Sequence, residues 1–246
     1  MIPKNHPRYN SLILRDKIKN AYKEGYLSDS GMIAHGRGET FDYLLGEKTA
    51  ETSKIAIEVS VAKLILAKHP VISINGNTVA LAIDEIIQLA KLIPAKIEIN
   101  LFYRTEKRVD IIKNILHKKG YKDALGTNED NLLYINDIES SRATASANGI
   151  YSSDLILVPL EDGDRTEVLV DSGKEVIAID LNPLSRTSKK ASITIVDNIT
   201  RAIPLMIETA EKFKDHSRER LEDVIKDFSN EDNLKESLKC IDLNRL

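Results

Sequence analysis

The segment VISINGNTVALAI at residues 71–83 decides the fold prediction. Its first four residues form a short apolar run, which Pro70 separates from the helical pattern of residues 49–68. The turn-forming sequence Asn-Gly-Asn at 75–77 ends the run, and apolar residues then return at helical spacing through Ile93. A short apolar strand followed by a turn and an amphipathic helix is the unit from which parallel sheets are built.

The same unit recurs along the chain. We predict further strands at 95–101, 154–160, 175–181 and 192–196, and helices at 104–119, 164–173 and 198–214. The strands are continuous apolar runs, which indicates a parallel sheet with both faces covered. The predicted fold is therefore α/β, a Rossmann-like open, mostly parallel sheet with helices on both faces and ligands at the carboxyl ends of the strands.

The flanking segments predict N-terminal and C-terminal helical extensions and two irregular regions. Residues 11–25 have the pattern of a basic helix, and the tail from Ser217 has an apolar stripe on a charged helix. Residues 31–47 contain four glycines and predict loop and short turns, whereas residues 122–153 lack any clear pattern, as functional or mobile segments do. We expect one domain over 1–246, made of an N-terminal helix and glycine-rich loop region (1–48), an alternating core (49–214) and a helical tail (215–246).

Composition excludes several classes of protein. The 246 residues include 35 Lys and Arg against 38 Asp and Glu, a balance that argues against a dedicated nucleic-acid partner. A single cysteine, Cys240, excludes an intramolecular disulfide and a cysteine-cluster metal site. No run approaches the roughly 20 apolar residues of a membrane helix, and the first residues lack the apolar core of a secretory signal. We expect a soluble, cytoplasmic protein without a membrane partner.

Polar or charged side chains follow every predicted strand. The strand ends are Asn75-Gly76-Asn77, Asn100 to Arg104, Glu161 to Arg165, Asp180 to Pro183, and Asp197-Asn198. Each set alone is ordinary turn or helix-cap chemistry. Five such sets at the ligand edge of one sheet predict a shared binding site.

These residue types suit anionic ligands and a nucleotide. Arg165 and Arg186 suit a phosphate or carboxylate. Asp180 ends a strand, where an acidic residue commonly accepts hydrogen bonds from a ribose or adenine. Asp162 and Asp164 could hold Mg²⁺ beside a triphosphate or receive an ammonium group. A helix cap beside a solvated arginine is the alternative interpretation of this acidic run.

Two further groups could contact phosphate. Asn75 and Asn77 could hold an anion or a carboxylate at a helix N-terminus. Arg37, which lies between two glycines and near His35, combines a cation with a backbone that can approach a ligand closely; a surface loop with a solvated Arg37 is the alternative. No G-x-x-x-x-G-K-[ST] and no G-x-G-x-x-G after a strand is present, which excludes a P-loop and disfavours ordinary dinucleotide binding.

Several long stretches of the sequence are distinctive enough to indicate a resemblance to a known family. They are IPKNHPRY (2–9), MIAHGRGETFDYLLGE (32–47), HPVISINGN (69–77), KIEINLFYRTE (96–106), VPLEDGDRTE (158–167), IAIDLNPLSR (177–186) and ITIVDNITRA (193–202). With these strings the chain, from about residue 2 to about residue 220, closely resembles the archaeal phosphopantothenate synthetase family, also called 4-phosphopantoate–β-alanine ligases. The resemblance implies an enzyme of coenzyme A biosynthesis that converts (R)-4-phosphopantoate, β-alanine and ATP into 4′-phosphopantothenate, AMP and diphosphate. It also implies a homodimer with a Rossmann-like core.

The resemblance also implies which residues contact ATP. Arg15 and Arg37 are similar to the phosphate-side arginines of the family. The nucleotide segments it implies are Asp180, Leu181 and Asn182, then Arg186 and Thr187, where the family form of the second position is a serine, and finally Asn198 and Ile199. Between Lys122 and Tyr151 the chain departs from the family pattern, which carries more proline and basic residues there; Arg142 is the only basic residue between these two positions.

Release of AMP implies an acyl-adenylate, so anion-binding groups are the expected machinery, together with Mg²⁺ to neutralise charge as diphosphate leaves. The candidates for this chemistry are Arg37, Arg104, Asp162, Asp164 and Arg165. The candidates for substrate binding are His35, Asn75, Asn77 and Arg142. No metal site is assigned from protein ligands alone.

Two other functions fit the strand-end residues without the resemblance. One is a non-catalytic regulator that binds a nucleotide on the same core. The other is a kinase or phosphatase that acts on a small phosphorylated acid. The products formed from ATP separate these functions from the ligase.

Overall fold

The computed structural model describes residues 2–6, 8–135, 144–160 and 163–241. The strands are β1 (Pro70–Ile74), β2 (Lys96–Ile99), β3 (Leu132–Tyr134), β4 (Thr144–Ser146), β5 (Leu155–Pro159), β6 (Glu175–Ile179) and β7 (Ile193–Ile195). β3 and β4 form an antiparallel pair, and the other strands form a parallel sheet in the order β2-β1-β5-β6-β7. The parallel sheet and its five predicted strands are therefore confirmed.

The helices are α1 (Tyr9–Lys23), α2 (Asp29–Leu44), α3 (Glu51–Leu66), α4 (Gly76–Leu92), α5 (Glu106–Lys118), α6 (Gly163–Asp171), α7 (Arg186–Lys190), α8 (Ile199–Phe213), α9 (Arg218–Ile225) and α10 (Asn230–Lys239). Side chains that accept a backbone N–H cap the first turns of α2, α4, α5, α7, α8, α9 and α10. Such caps satisfy N–H groups that have no partner within the helix, so they fix where each helix begins. The caps are Ser28, Asn75, Thr105, Ser185, Asn198, Ser217 and Ser229.

Helices and loops cover both faces of the sheet. On one face, alternate strand residues such as Ile72, Ile97 and Ile177 pack in one core with α1, α3, α4, α5 and α8. On the other face, Val71 and Ile156 belong to a smaller core with α6 and the segment around β4. Since successive side chains of a strand point to opposite faces, this double burial explains why the strands are continuous apolar runs.

The chain reverses direction across the sheet between β1 and β5. The connection from β1 runs through α4 to β2 on one side, and the connection from β5 runs through α6 to β6 on the other. In open α/β sheets the crevice at such a switch point, outside the carboxyl ends of the strands, is where ligands bind.

The predicted loop over residues 31–47 is wrong, because residues Asp29–Leu44 form α2. One of its glycines serves close packing, because a Cβ on Gly31 would lie 2.7 Å from Asn77 Oδ1. A Cβ on Gly38 would lie 3.4 Å from a methyl of Leu181, which is an ordinary contact distance. Gly46, with φ of 87°, follows the helix in the left-handed region that glycine tolerates. At Gly31 the helical cost of glycine is thus offset by a close contact that a side chain would prevent, whereas Gly36 faces open space.

The described parts of this region, residues 122–135 and 144–153, have more regular structure than their pattern predicts. They contain the β3–β4 pair and a 3-10 turn at Ile150–Ser152, and Ile150 is fully buried. Leu125 forms an isolated parallel bridge with Glu98 of β2. The segment therefore extends the edge of the sheet beside β2.

Candidate active site

The residues that follow the parallel strands lie along one edge of the sheet. Asn100, after β2, donates its backbone N–H to the last carbonyl of β1 at 2.8 Å. Leu160, after β5, donates to the last carbonyl of β6 at 3.1 Å, and Asp180, after β6, donates to the last carbonyl of β7 at 3.1 Å. The described strand-end residues therefore share an edge, as expected, whereas Glu161 and Asp162 lie outside the described residues.

Asp180 organises a turn at the end of β6. Its carboxylate accepts the backbone N–H of Asn182 at 2.9 Å and the hydroxyl of Ser185 at 2.5 Å. The Oδ1 of Asn182 accepts the N–H of Leu184 at 2.9 Å. Burial raises the pKa of Asp180, while hydrogen bonds from Ser185 and Asn182 oppose the shift. The turn holds this carboxylate in a fixed position next to α2.

One side of α2 packs against this turn. Gly38 allows the helix to approach Leu181, which is buried with Leu45, Val196 and Leu234. Arg37, the preceding residue, is exposed, and its charge is among the influences that lower the pKa of Asp180. The charge of Arg37 therefore acts on Asp180, although Arg37 lies in a helix and not in a flexible glycine loop.

Another side of α2 faces α1 across an open cleft of about 1420 Å³. Arg15 of α1 pairs with Glu39 of α2 at 2.9 Å, and Ser11 donates to the other oxygen of Glu39, also at 2.9 Å. Lys4, Arg8, Lys17, Lys19 and Arg201 add to the basic lining of the cleft, and Asp42, Glu47 and Glu85 to its acidic lining. Arg15 and Arg37 therefore lie on different sides of α2, and their predicted joint contact with one triphosphate stays a prediction.

His35 lines the same cleft one helical turn before Glu39. Its side chain is 9% exposed, and Nε2 lies 3.8 Å from Glu39 Oε1, beyond hydrogen-bond distance. Nε2 has no hydrogen-bond partner among the described residues. Burial lowers the pKa of His35, the charge of Glu39 opposes this shift, and the charge of Arg15 adds to it. Burial therefore favours the neutral form of the imidazole, whose Nε2 is buried behind the wall of the cleft.

A buried charge network lies at the inner end of the cleft. Arg201 of α8 donates to Asp42 of α2 at 2.6 Å and to Asp197 at 2.6 Å. Asn198, the cap of α8, donates its amide to Asp42 at 2.9 Å, and Thr49 donates to Asp197 at 2.6 Å. Burial raises the pKa of Asp197, and the charge of Arg201 opposes that shift. The network joins α2 and the residues before α3 to the end of β7.

Arg186 lies at the start of α7 and is exposed. Its guanidinium pairs with Asp164 and Glu167 of α6, and a Cβ on Gly163 would lie 2.8 Å from Arg186 Cβ. The structure therefore places Arg186 and Asp164 together at the strand-end edge. Their pairing means that a phosphate must compete with two carboxylates for Arg186.

Four of the implied nucleotide contacts are buried. Leu181 is 6%, Thr187 3%, Asn198 6% and Ile199 2% exposed. Leu181 and Ile199 are apolar, so their backbone is the only polar group they can present to a nucleotide. Ile199 is the first residue of α8, a position whose N–H group points out of the helix end.

On the β1–β2 side of the edge, the predicted residues contact the protein itself. Asn75 accepts the N–H of Thr78 at 3.1 Å and donates to Leu160 O at 2.8 Å, which bridges the switch point. Asn77 donates to Gly31 O at 2.9 Å. Arg104 donates to Gly126 O at 2.9 Å and to the next carbonyl at 3.0 Å. Their roles in binding or chemistry stay predictions, and these contacts give each of them a structural role.

Arg165 is also held within the protein. It is 3% exposed and donates to Thr144 O of β4 at 3.3 Å. Asp162 and Arg142 lie outside the described residues. The described residues include no group of three or more His, Cys, Asp or Glu side chains placed to hold a metal ion.

Comparison with known proteins gives this arrangement a context. The sequence profile of the phosphopantothenate/pantothenate synthetase family matches residues 52–244. The chain belongs to this family.

Individual relatives of the synthetase family match over most of their length. The chain is 51% identical to a 4-phosphopantoate–beta-alanine ligase of Thermococcus kodakarensis over 238 residues, which is 96% of the chain and 90% of that protein. It is 48% identical over 240 residues to the protein of the same name from Methanosarcina mazei, which is 98% of the chain and 94% of that protein. A Methanospirillum hungatei protein of that name is 51% identical over 203 residues, 82% of each chain.

In this synthetase, sequence reasoning missed Asp42, Arg201 and Glu98. Asp42 and Arg201 are 159 positions apart, so no local pattern connects them. Glu98 did leave a signal, because it is a charged residue in the middle of an apolar strand and is fully buried. No helix in the described part of the synthetase is long and apolar enough to cross a membrane.

Proposed function

We propose that this chain is an ATP-dependent ligase that joins (R)-4-phosphopantoate and β-alanine into 4′-phosphopantothenate, with release of AMP and diphosphate, in coenzyme A biosynthesis. The observation that carries the proposal is a match over 96% of the chain to a relative whose name states the two joined substrates. Strand-end residues that suit a nucleotide and two acids support it.

The nucleotide is proposed to bind at the ends of β6 and β7. Asp180 and Asn182 face the ribose or adenine, and the backbone beside Leu181 and Ile199 supplies further polar contacts. Arg37 reaches the phosphates, since it is exposed and close enough to Asp180 for its charge to act there. A guanidinium can hold two phosphate oxygens by parallel hydrogen bonds.

The cleft between α1 and α2 is proposed to receive anionic groups of the substrates. Arg15 is 44% exposed, so its charge can reach a phosphate while one of its N–H groups remains on Glu39. His35 adds a neutral donor or acceptor on the same wall. Arginine and imidazole placed side by side suit a phosphate or carboxylate in a half-buried setting.

The chemistry asks mainly for positioning and charge stabilisation. A carboxylate oxygen of phosphopantoate attacks the α-phosphorus of ATP, the bond to the bridging oxygen breaks, and diphosphate leaves. The amine of β-alanine, after losing a proton, attacks the acyl carbon; the C–O bond to AMP breaks and the amide forms. Holding the two reactants against ATP contributes on the order of 7–11 kcal/mol at most. Cationic side chains at the phosphates stabilise the charge that develops as diphosphate leaves.

We propose that Asp164 would hold Mg²⁺ together with the phosphates of ATP, where the metal would supply charge that neutralises them. It commonly binds through one or two carboxylates together with substrate phosphates, so it needs no cage of protein ligands. The donor set fits this mode: Asp164 is 42% exposed at the start of α6 and can supply one oxygen. Arg186, which pairs with Asp164 in this structure, would then pair with a phosphate instead.

A homodimer is proposed from the exposed apolar side chains of α2. Ile33 is 64%, Tyr43 71% and Leu44 42% exposed, which leaves apolar area on a helix at the candidate site. Sedimentation at micromolar concentration is expected to give a species of twice 27.5 kDa. A single 27.5 kDa species would contradict this proposal.

One domain and a cytoplasmic location are also proposed. The helical tail supports the single domain, because α9 and α10 pack against α3, and α10 also contacts α7 and β7. A fragment that lacks residues 215–246 is then expected to lose cooperative unfolding, which circular dichroism during heating would measure. Fractionation of the source cells tests the location.

The test of the reaction is a product assay. The protein is incubated with ATP, Mg²⁺, phosphopantoate and β-alanine, and nucleotides and acids are separated by chromatography. AMP and phosphopantothenate in equal amounts, dependent on both acids, are expected. ADP would indicate a kinase, inorganic phosphate without AMP a phosphatase, and ATP binding without turnover a regulator.

A further inference from the structure

The wall of the cleft between α1 and α2 contains a polar atom that the fold leaves without a partner. The side chain of His35 is 9% exposed, and its buried Nε2 has no hydrogen-bond partner among the described residues. Oε1 of Glu39 lies 3.8 Å from this atom, beyond hydrogen-bond distance. Buried polar atoms are costly without a partner, so such an exception in a folded protein indicates a role in binding or chemistry.

Gly36, the next residue of α2, is also unexplained by the packing of the protein. Glycine is less stable than alanine within a helix, so a glycine there calls for a reason. Gly36 lines the cleft, and apart from its own helix no described atom lies within 4 Å of the position that a Cβ would take. The packing of the protein therefore does not require glycine, whereas a ligand that lies against the backbone of α2 does.

Glu39 supplies the charge on this wall. Its Oε2 accepts the Nε–H of Arg15, and its Oε1 accepts the hydroxyl of Ser11, both at 2.9 Å. The side chain is 17% exposed and lines the cleft. Because an ionised carboxylate can accept about four hydrogen bonds, Glu39 can take a further donor from a ligand while both of these contacts remain.

The charges of the cleft indicate which substrate this wall suits. A carboxylate repels the phosphate groups of ATP and phosphopantoate but attracts an ammonium group. The N-terminal segment and α1 line the same cleft with basic side chains, namely Lys4, Arg8, Lys17 and Lys19. A small ligand with an ammonium group at one end and a carboxylate at the other matches this lining. Of the three proposed substrates, β-alanine has this chemistry.

The cleft also borders the site proposed for the nucleotide. Asn198, one of the implied nucleotide contacts, and Thr200 line it from the first turn of α8. The acyl carbon that the amine attacks belongs to an acyl-adenylate, so it must lie beside the nucleotide. An amine held at Glu39 is therefore in a cavity that is continuous with the proposed nucleotide site.

We propose that Glu39 binds the ammonium group of β-alanine in the cleft between α1 and α2, and that His35 behind it accepts the proton that the amine must lose. The inference rests on the proposed ligase function. An N–H bond of the ammonium breaks, the proton passes by way of the Glu39 carboxylate to Nε2 of His35, and the amine attacks the acyl carbon as AMP leaves. Burial lowers the pKa of His35, so the imidazole is neutral before this step.

The two half-reactions of the ligase separate this role from a structural one. Exchange of labelled diphosphate into ATP, in the presence of phosphopantoate, measures adenylate formation without β-alanine. Glu39→Gln removes the charge and keeps the size of the side chain, so the KM for β-alanine is expected to rise about tenfold, as for a lost hydrogen bond to a charged group. The exchange rate is expected to change less than about twofold. An equal loss in both measurements would overturn the inference.

His35→Gln tests the proton acceptor. With β-alanine saturating, formation of phosphopantothenate is expected to slow roughly a hundredfold, the effect of losing a group that accepts a proton in the reaction. The diphosphate exchange should continue, since no amine takes part in it. A folded His35→Gln variant that forms phosphopantothenate at the parent rate would contradict this role.

Ser11→Ala is the matched control. It removes the other side-chain contact that α1 makes with Glu39 and leaves the carboxylate and the imidazole in place. It is expected to lower thermal stability and to leave the KM for β-alanine within about twofold of the parent value. If Ser11→Ala raises this KM as much as Glu39→Gln does, Glu39 serves only to hold α1 against α2, and the inference fails.

Gly36→Ala covers the case in which the Glu39 and His35 variants do not fold. Alanine is favoured over glycine within a helix, so the temperature of thermal unfolding is expected to rise. The added methyl group narrows the cleft beside His35, and the KM for β-alanine is expected to rise about tenfold, as when a substrate pocket must accommodate one extra methyl group. A more stable variant with a normal KM for β-alanine would contradict the inference.

The parent protein separates this inference from the proposed function. A parent that exchanges diphosphate but makes no product from β-alanine forms the adenylate and overturns the inference. A parent that forms neither product fails as a ligase, and calorimetry then compares β-alanine binding by the parent and by Glu39→Gln. Weaker binding by the variant supports the ammonium site, and equal binding or none overturns it.

Discussion

The two ends of the strand-end edge use similar polar residues in different ways. On the β6–β7 side, Arg37 and Arg186 extend to the surface, the latter 59% exposed, over a turn that Asp180 fixes. On the β1–β2 side, Asn75 and Arg104 are engaged with backbone groups of the protein. A polar residue after a strand thus marks the edge, but its partners decide whether it can meet a ligand.

The difference follows from what lies next to each strand end. The turn after β6 is covered by α2, a helix that packs through Gly38 and leaves Arg37 in solvent. The end of β2 is covered by residues 125–127 and 144–150, whose backbone carbonyls and N–H groups need partners in a buried place. Arg104, Arg165 and Glu98 supply those partners.

The largest expected effect tests whether the β6–β7 side of the edge also contains residues whose role is to stabilise the fold. Arg201→Met removes the counter-charge of Asp42 and Asp197, and the side chain of Asp197 is fully buried. Because an uncompensated buried carboxylate remains, the free energy of unfolding is expected to fall by about 3 kcal/mol in urea denaturation. Arg218→Met, which breaks an exposed pair with Glu222, is the control and should change stability little. A loss below about 1 kcal/mol for Arg201→Met would assign this arginine to ligand binding instead.

The next effect concerns turnover. Arg37→Lys keeps the charge but loses the planar pair of donors, so kcat is expected to fall by roughly tenfold to a thousandfold, as when one transition-state donor is lost. The KM for ATP should change much less, because the contact strengthens as diphosphate leaves. Turnover and thermal stability are measured on one preparation, with Arg218→Lys as the surface control. Near-normal kcat in a folded variant would mean that Arg37 does not stabilise the reaction through contact with the ligand.

A smaller effect is expected at Asp180. Asp180→Ala removes the carboxylate that shapes the turn and that we propose faces the nucleotide, and calorimetry is expected to show ATP binding weakened about tenfold. Asp84→Ala provides the control, since Asp84 is exposed on α4 and pairs with Lys119. Unchanged ATP affinity in a folded Asp180→Ala variant would mean that the nucleotide does not bind at the end of β6.

The sequence predicted the sheet because its strands are continuous apolar runs bounded by turn residues, a pattern that few other folds produce. It failed at α2, where glycines suggested loop, although Gly31 serves a close contact with Asn77 that arises only after folding. Local propensity cannot anticipate such packing, because the partners are distant in the chain.

Within the site, residue type predicted which residues lie at the strand-end edge, but it did not predict the partners that each side chain has there. Arg104 and Arg37 are equally suited to phosphate by chemistry, yet only Arg104 clamps the backbone at Gly126 and Thr127. The sequence did not predict the network of Asp42 and Arg201, because these residues become partners only when the folded chain buries them together and no sequence spacing relates them. Glu98 was detectable in principle as a lone charge in an apolar strand.

The smallest effect tests the β1 side of the comparison. Asn75→Ala removes the cap of α4 and the bridge to Leu160, so stability is expected to fall by about 1 kcal/mol, with kcat and KM per folded molecule unchanged. Thr105→Ala, which removes the cap of α5 without any bridge across the switch point, is the matched control and should cost somewhat less. Asn75→Ser should restore the cap but not the bridge, and its stability should lie between those of the parent and Asn75→Ala. If Asn75→Ala instead raises the KM for phosphopantoate at nearly normal stability, the amide contacts substrate, and both ends of the edge bind ligands directly.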